Sequence, residues 1–151
     1  MGQNAIWIAS GNLTTNGSTG MAQPITAAAN DFTGIGANNS LVFTAKGTVG
    51  DGTSGSLLKR LRFKAAGTNV QTVARIFVNN GSTNATATNN TYIDDQQLAA
   101  STASATTPTG STFDYVFPEG GLLMEPGFRI YVGLATAVSA GWSVFPIAGD
   151  S

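Results

Sequence analysis

The side chains that could do chemistry in this chain are almost all carboxylates. The sequence contains no histidine and no cysteine, so a serine or cysteine nucleophile has no imidazole base and a metal has no imidazole or thiolate ligand. A glycosidase would need two carboxyl groups about 5 to 9.5 Å apart across a cleft. The acidic residues available are Asp31, Asp51, Asp94, Asp95, Asp114, Glu119, Glu125 and Asp150.

Asp94 and Asp95 are the one adjacent acidic pair. Neighbouring residues on a strand point to opposite faces, so the two carboxylates would not converge on one substrate. We interpret them as solvated charges on an edge strand, where they discourage the addition of another strand. A calcium site and a catalytic pair are the alternatives. The sequence therefore predicts a protein that is not an enzyme, with no cofactor and no metal.

Two glycine-containing segments resemble phosphate-binding motifs in part. Residues 34–39 begin like a dinucleotide-binding fingerprint, but Asn39 stands where the third glycine belongs and no helical pattern follows. Lys46-Gly47-Thr48 resembles the end of a P-loop, but the glycine-rich part comes after it rather than before it. Both segments are predicted to be turns.

The densest group of charges is the segment Lys59-Arg60-Leu61-Arg62-Phe63-Lys64. Strand alternation puts Arg60, Arg62 and Lys64 on one face and the two apolar residues on the other. The basic face could be a solvated surface, a contact for an acidic protein surface, or a nucleic-acid site. Nucleic acid is the least favoured, because no aromatic residue stands among these bases for stacking and the net charge of the chain is −1.

Trp7 presents a similar choice. In a strand over residues 5–9, Ile6 and Ile8 share one face and Trp7 takes the other. The indole could contact a second subunit or another protein, or it could join a second core layer or a closing strand.

The elements that must position these residues are short apolar runs separated by loops rich in Gly, Asn, Ser and Thr. Their spacing is typical of a sandwich or barrel. We predict a single all-β domain over residues 1–151, an antiparallel β-sandwich with the jelly-roll arrangement of about eight strands. The predicted strands are residues 5–9, 22–29 (an edge strand), 40–49, 57–65, 70–78, 91–98, 112–117, 128–135 and 142–147.

Turn chemistry and alternation also predict how some strands pair. Residues 57–65 and 70–78 should form a hairpin through residues 66–69. The last two strands should pair with each other, and Pro146 should mark the end of a central ladder position. The polar tract of residues 79–90 should be a long surface loop.

Composition points to a building block rather than a free monomer. Only 10% of the residues are charged, against about 25% in typical domains, and a nearly neutral surface of this kind favours association. No run approaches the length of a membrane span, and the first residues lack the pattern of a signal peptide. With no cysteine for disulfides, the sequence predicts synthesis in the cytoplasm.

Two parts of the chain resemble a group of small virion proteins of tailed bacteriophages. In that group a strand ending in Asn-Asn-Gly, a polar loop and a terminal Ala-Gly-Trp hairpin recur. The resemblance covers roughly residues 70–150, although residues 98–102 lack the proline that the group carries there. The matching stretches are residues 74–81, 89–93, 126–133, 140–142 and 147–150.

The resemblance implies a jelly-roll capsid decoration or cement protein. Such a protein would form a homotrimer on the outer capsid surface of the virion, contact the major capsid protein, and bind neither nucleic acid nor membrane. Candidate capsid or intersubunit contacts are Trp7, Arg60, Arg62 and Lys64. Two alternatives stay open: a tail, collar or fibre component of the virion, and a carbohydrate-binding adhesin module with Tyr92, Tyr115, Tyr131 or Trp142 as the sugar platform.

Overall fold

The computed structural model of the chain describes residues 23–52 and 55–149 in full, and the backbone of residues 6–8, 14–15, 18–19 and 150. Within this described part, a short 3₁₀ helix lies at Ala87–Asn89, and Pro118–Gly120 forms a tight turn in which Glu119 has a positive φ. The strands are β1 (Ile6–Ile8), β2 (Thr14–Thr15), β3 (Ser18–Thr19), β4 (Ser40–Thr44), β5 (Ser56–Ala65), β6 (Thr72–Asn79), β7 (Asn90–Leu98), β8 (Thr112–Val116), β9 (Leu122–Met124), β10 (Arg129–Leu134) and β11 (Trp142–Asp150).

These strands form two larger sheets and one small ribbon, β2-β3. The front sheet has the order β1-β11-β5-β8, and β9 pairs with the start of β5. The back sheet has the order β4-β10-β6-β7. Every strand pair in the two sheets is antiparallel. The all-β antiparallel sandwich expected from the sequence is therefore confirmed.

The core lies between the two sheets and follows the alternation of the strands. Leu58, Leu61 and Phe63 of β5 are fully buried, and Trp142 of β11 beside them is also inaccessible to solvent. From the back sheet, Ile130, Val132 and Leu134 of β10 join the same apolar cluster, because alternate residues of a strand share one face. Burying each such side chain contributes about 1.5–3 kcal/mol, so this cluster is the main source of stability.

The two predicted hairpins are wrong. β5 lies in the front sheet and β6 in the back sheet, so residues 66–71 carry the chain across the sandwich rather than around a hairpin. Residues 135–141 do the same between β10 and β11, which are likewise in different sheets. Alternation identifies the buried face of a strand but not its neighbour, and both connections are long enough to cross the ~10 Å between packed sheets.

Pro146 lies inside a paired strand, contrary to the expectation that it ends a central ladder. It stands opposite Leu61 of β5. The N–H of Trp142 points away from β5, because it donates to the carbonyl of Ile25 at 3.0 Å. Pro146 has the same parity as Trp142 along the strand, so its missing N–H also falls on the side away from β5. Among the described residues, β1 pairs on that side only with positions 148–150, so the proline removes no described ladder bond.

Two other predicted strands are shorter in the structure. Of the edge strand expected at residues 22–29, the described residues form only isolated bridges, Ile25 with Trp142 and Ala28 with Leu134. The strand expected at 40–49 ends at Thr44. Gly47 and Gly50 have positive φ values, which turn the chain out of the sheet.

A hydrogen bond joins the two sheets along the side where β7 and β8 are edge strands. The Tyr115 hydroxyl of β8 donates to Oδ2 of Asp94 on β7 at 2.8 Å. On the next residue, Asp95 Oδ2 accepts from the Tyr92 hydroxyl at 2.8 Å. The two aspartates therefore have separate partners, and Asp94 is a link between the sheets rather than only a solvated edge charge.

Burial, together with the bond to Asp94, raises the pKa of Tyr115 from 10.0 to about 12. The protonated phenol is thus the form that the fold favours, and its stabilisation is complete below pH 10 and lost as the pH rises towards 12. We expect Tyr115→Phe to lower the free energy of unfolding at neutral pH by about 0.5–1.5 kcal/mol. In a titration of tyrosinate absorbance, the same substitution should remove the step at the highest pH. Loss of a lower step instead would contradict this assignment.

The polar tract after β6 is a surface loop, as predicted, and its two ends are held by asparagines. Asn79 is fully buried and donates to Oδ1 of Asn90 at 2.8 Å, while its own Oδ1 accepts from the Gly81 amide at 2.9 Å. Asn90 in turn donates to the carbonyl of Asn84 at 2.8 Å. Hydrogen bonds from the side chains of Asn79 and Asn90 thus hold both ends of this polar loop in place.

We expect Asn79→Ala to destabilise the fold by about 1–3 kcal/mol, because it removes a buried amide and leaves its half-buried partners, Asn90 and the Gly81 amide, without that bond. The matched control is Asn80→Ala, which removes an exposed amide from the neighbouring position. Chemical denaturation of both variants measures the difference. Equal losses would mean that the buried pair has no special role.

Candidate interaction surface

The basic residues singled out in the sequence lie on the outer face of the front sheet. β5 is a central strand there, with β11 on one side and β8 on the other. Arg60 stands between Ile147 and Val116, and Arg62 stands between Phe145 and Asp114. Lys64 is exposed. The structure therefore brings Arg60, Arg62 and Lys64 together in one column.

Two of these cations share one carboxylate. Arg62 donates from Nε to Asp114 Oδ1 at 2.8 Å and from its terminal nitrogen to Oδ2 at 2.9 Å. Arg60 reaches the same Oδ2 at 3.3 Å. We call these three residues the paired strip. Its net charge is +1, and Lys64 of the same column adds a second positive charge to this face.

The paired strip is held mainly by the bidentate bond. The hydrogen bond from Arg62 lowers the pKa of Asp114, and the same bond raises the pKa of Arg62. Asp114 therefore keeps its charge throughout the physiological range. The side chains of Arg62 and Asp114 remain 43% and 25% exposed, so solvent weakens the attraction and the strip is better suited to shaping the surface than to stabilising the fold.

We expect Asp114→Asn to lower the melting temperature slightly near pH 7 and to expose two uncompensated arginines. Because the folded pKa of Asp114 is lowered, its stabilisation is present above about pH 3.8 and lost as the pH falls below that value. The difference between variant and wild type should therefore vanish in acid and shrink in high salt. Glu125→Gln removes a carboxylate elsewhere on the surface and is the control. A difference that is unchanged in acid would contradict the pairing.

Next to the paired strip is a groove with a volume of about 680 Å³. Its lining includes the charged residues Lys59, Arg60 and Glu119, and the apolar residues Val116, Phe117 and Ile147. Val116 is 63% exposed. The groove was not anticipated from the sequence, because its lining comes from three strands that are distant along the chain.

The turn that follows β8 forms one wall of this groove. Glu119, Gly120 and Gly121 all have positive φ, and Glu119 is one of only two non-glycine residues among the described ones that do. Such a backbone is strained in a non-glycine residue and persists where the surroundings hold it. Here Lys59 Nζ donates to the carbonyl of Gly120. The signal in the sequence was Pro118-Glu119-Gly120-Gly121, a stretch with turn-forming residues.

Trp7 lies in the same sheet. Its backbone is opposite Gly149, which is opposite Leu57, which is opposite Leu123, so the four residues form one row across the front sheet. Leu123 is 73% exposed. The side chain of Trp7 is outside the described residues, so its predicted contact with a subunit or partner stays a prediction.

Aromatic side chains also cluster on the outer face of the back sheet. Phe32 packs edge-on against Tyr92 at 5.5 Å between centroids, and the Arg75 guanidinium lies 3.9 Å from the centre of the Phe32 ring. Of the four predicted sugar platforms, Trp142 is buried in the core, Tyr131 is 8% exposed and Tyr115 bonds Asp94. Tyr92, at 37% exposed, is the most accessible of the four for stacking.

The two glycine segments that resemble phosphate motifs are turns organised by the chain's own carboxylates. Asp31 Oδ1 accepts from the Thr33 amide at 2.9 Å and also from the Gly34 amide. Burial raises the pKa of Asp31, but these bonds and one from Asn39 outweigh it, so the net shift is downward. In the second segment, Asp51 accepts from the Thr48 amide at 2.9 Å. These amides already have an anion, so neither turn presents them to a phosphate.

Two further observations concern ligands and membranes. In the described part of the chain, no three acidic residues come close enough together to hold a metal ion. No helix in that part is long and apolar enough to cross a membrane.

The chain was compared with protein-family models, curated proteins and solved structures. No family model, curated protein or solved structure matches this chain.

Proposed function

We propose that this protein is a non-enzymatic structural protein of a bacteriophage virion, a capsid decoration or cement protein. It would bind the outer capsid surface as a homotrimer and stabilise the contacts between subunits of the major capsid protein. Three kinds of support bear on this proposal: the order of the strands, the character of the front sheet, and the resemblance of residues 70–150 to small virion proteins.

The strand order supports the jelly-roll part of the proposal. When the short strands β2, β3 and β9 are set aside, the first strand pairs with the last, β1 with β11, and the second pairs with the next to last, β4 with β10. The inner pairs continue the same nesting, β5 with β8 and β6 with β7. We interpret this nested pairing as a jelly roll, an architecture that recurs in viral capsid domains.

The outer face of the front sheet carries most of the argument for a binding role. The paired strip partly cancels its own charge. Val116, opposite Arg60, is 63% exposed, and Leu123, opposite Leu57 in the same sheet, is 73% exposed. Exposed apolar side chains next to a weakly charged surface are typical of protein contacts rather than of free solvent-facing sheets. A cement protein needs such surfaces, because several weak contacts of one assembly act together across a lattice.

The proposal predicts that the protein is abundant on the outside of purified phage heads. Quantitative gel or mass-spectrometric analysis should find hundreds of copies per particle, and cryo-electron microscopy should place its density on the outer capsid. A few copies per particle would instead favour a tail, collar or fibre component. Its absence from particles would overturn the proposal.

We expect the column of Arg60, Arg62 and Lys64 to face an acidic capsid surface. Binding of the purified protein to phage heads that lack it should then weaken as ionic strength rises. Lys64→Gln should weaken this binding and flatten its dependence on salt. Lys46→Gln is the control, because it removes the same charge from an exposed residue outside the front sheet. A salt dependence that is the same in both variants would contradict the role of this column.

Carbohydrate binding is a second candidate, and it is favoured by the Phe32–Tyr92 pair. Phe32 is 60% exposed, and polar groups of Arg75 and Asp95 surround the rings. Binding on a glycan array that Tyr92→Ala abolishes would support this candidate. Retention of that binding in the variant would exclude Tyr92 as the platform.

A further inference from the structure

A bulge in β7 places one apolar residue outside the regular ladder of the back sheet. Asp94 is opposite Ile76 and Tyr92 is opposite Phe77, so Ile93 between them has no partner on β6. Bulges re-aim side chains and are over-represented at sheet edges, and β7 is an edge strand. Ile93 is 36% exposed.

The residues around Ile93 are acidic. Asp94 and Asp95 follow it directly, and both are exposed even though each accepts a bond from a tyrosine. Arg75, which is opposite Asp95, is occupied by the Phe32 ring and by bonds to Asn30 and the carbonyl of Asp31. The edge of β7 therefore presents an apolar side chain next to two carboxylates on opposite sides of the strand: Asp94 faces Tyr115 of the front sheet and Asp95 faces Tyr92. We call residues 93–95 the acidic knob.

The groove of the front sheet has the complementary character. Val116, Phe117 and Ile147 give it apolar surface, and Arg60 lies between Val116 and Ile147. Lys59 and one carboxylate, Glu119, complete the charged part of the lining, so its net charge is positive. Arg60 makes only the single 3.3 Å contact with Asp114, whereas Arg62 makes both of the shorter ones. The guanidinium of Arg60 is thus the less committed of the two and is 39% exposed.

We propose that the acidic knob of one copy of this chain docks into the groove of a second copy. Ile93 would cover the apolar surface at Val116, and the carboxylate of Asp95, which faces away from the front sheet of its own copy, would lie near Arg60. The contact joins two different patches, so it gives a reciprocal pair of copies, a ring, or an open chain where the rotation between copies does not close. It goes beyond the proposed function, because it requires only a second copy and no capsid.

The knob and the groove are close to each other on the molecule. β7 and β8 are the edge strands of the two sheets on one side of the sandwich, and the Tyr115–Asp94 bond joins them. A knob and groove contact alone covers less than the ~1,200 Å² of a standard interface, so one such contact should be weak. In a closed dimer or ring each copy makes two such contacts, one through its knob and one through its groove, and the two together hold the assembly more tightly than one contact does.

The proposal predicts that the purified protein associates with itself. Sedimentation velocity over a range of about 1 μM to 1 mM spans weak to moderate affinities. Val116→Asp and Ile93→Asp should each raise the dissociation constant about tenfold or more, because a charge would be buried in an apolar contact. Val70→Asp is the control, since Val70 is 58% exposed and lies outside both patches. A wild-type protein that is monomeric throughout, or equal losses in all three variants, would overturn the proposal.

A charge reversal tests the pairing without changing the apolar residues. Arg60→Glu and Asp95→Arg should each weaken association, and the double variant should recover part of it. No recovery in a folded double variant would contradict the contact. A dimer or a trimer would each support the docking, whereas only a trimer agrees with the homotrimer of the proposed function. Failure of the docking is therefore distinguishable from failure of the capsid proposal.

Discussion

The buried amide of Asn69 holds together the end of the sandwich at which the chain crosses between sheets. Its Nδ2 donates to the carbonyl of Gly141 at 2.9 Å, and its Oδ1 accepts from the amides of Ala140 and Gly141 at 2.9 and 2.8 Å. Its backbone also bridges Ser101. Three connections that differ widely in sequence position thus meet at one residue that is 3% exposed. A buried amide without these partners would cost free energy of folding. The connection at residues 66–71 is therefore stable only when the connection at residues 135–141 lies against it.

The relative position of the two sheets follows from this arrangement, and so does the shape of the outer surface. β5 ends at Ala65, where the chain crosses to the back sheet, and β11 begins at Trp142, where the chain returns. Ala65 and Trp142 are opposite each other, so the pairing of these two central strands begins at this end of the sandwich. Arg60, Arg62 and the groove all lie along that pair or beside it. The candidate surface is therefore built on the strand pair that begins beside the Asn69 contacts.

Sequence reasoning recovered the strands better than their partners. Ile130, Val132 and Leu134 alternate along β10, and Trp142 and Val144 along β11, and all five lie in the core, because the period of a strand is a local property. The choice of neighbour is not local. Asn69 and Gly67 have the composition of a hairpin turn, but their bonds go to Gly141, Ala140 and Ser101, which no local pattern reveals.

The candidate surface was predictable in part for the same reason. The shared face of Arg60, Arg62 and Lys64 follows from alternation, whereas the partnership of both arginines with Asp114 depends on the pairing of β5 with β8. The aromatic cluster was missed because Phe77 lies on the outer face of the back sheet, although it is fully buried. The sequence shows that an apolar strand residue is buried, but not whether the opposite sheet or side chains on the outer face cover it.

The scarcity of charge in this chain has a structural consequence that favours a role in an assembly. Asp31 and Asp51 hold turns, Asp94 joins the sheets, and Asp114 binds two arginines, so the carboxylates serve mostly contacts within the molecule. Few charges then remain to keep two copies, or a copy and a capsid, apart. Under that condition a single exposed valine or isoleucine can decide where association occurs, because the surrounding hydroxyl and amide groups neither strongly attract nor strongly repel another protein surface. Specificity must then come from the places where shape and the remaining charges coincide, and the groove beside Arg60 and the bulge at Ile93 are two such places.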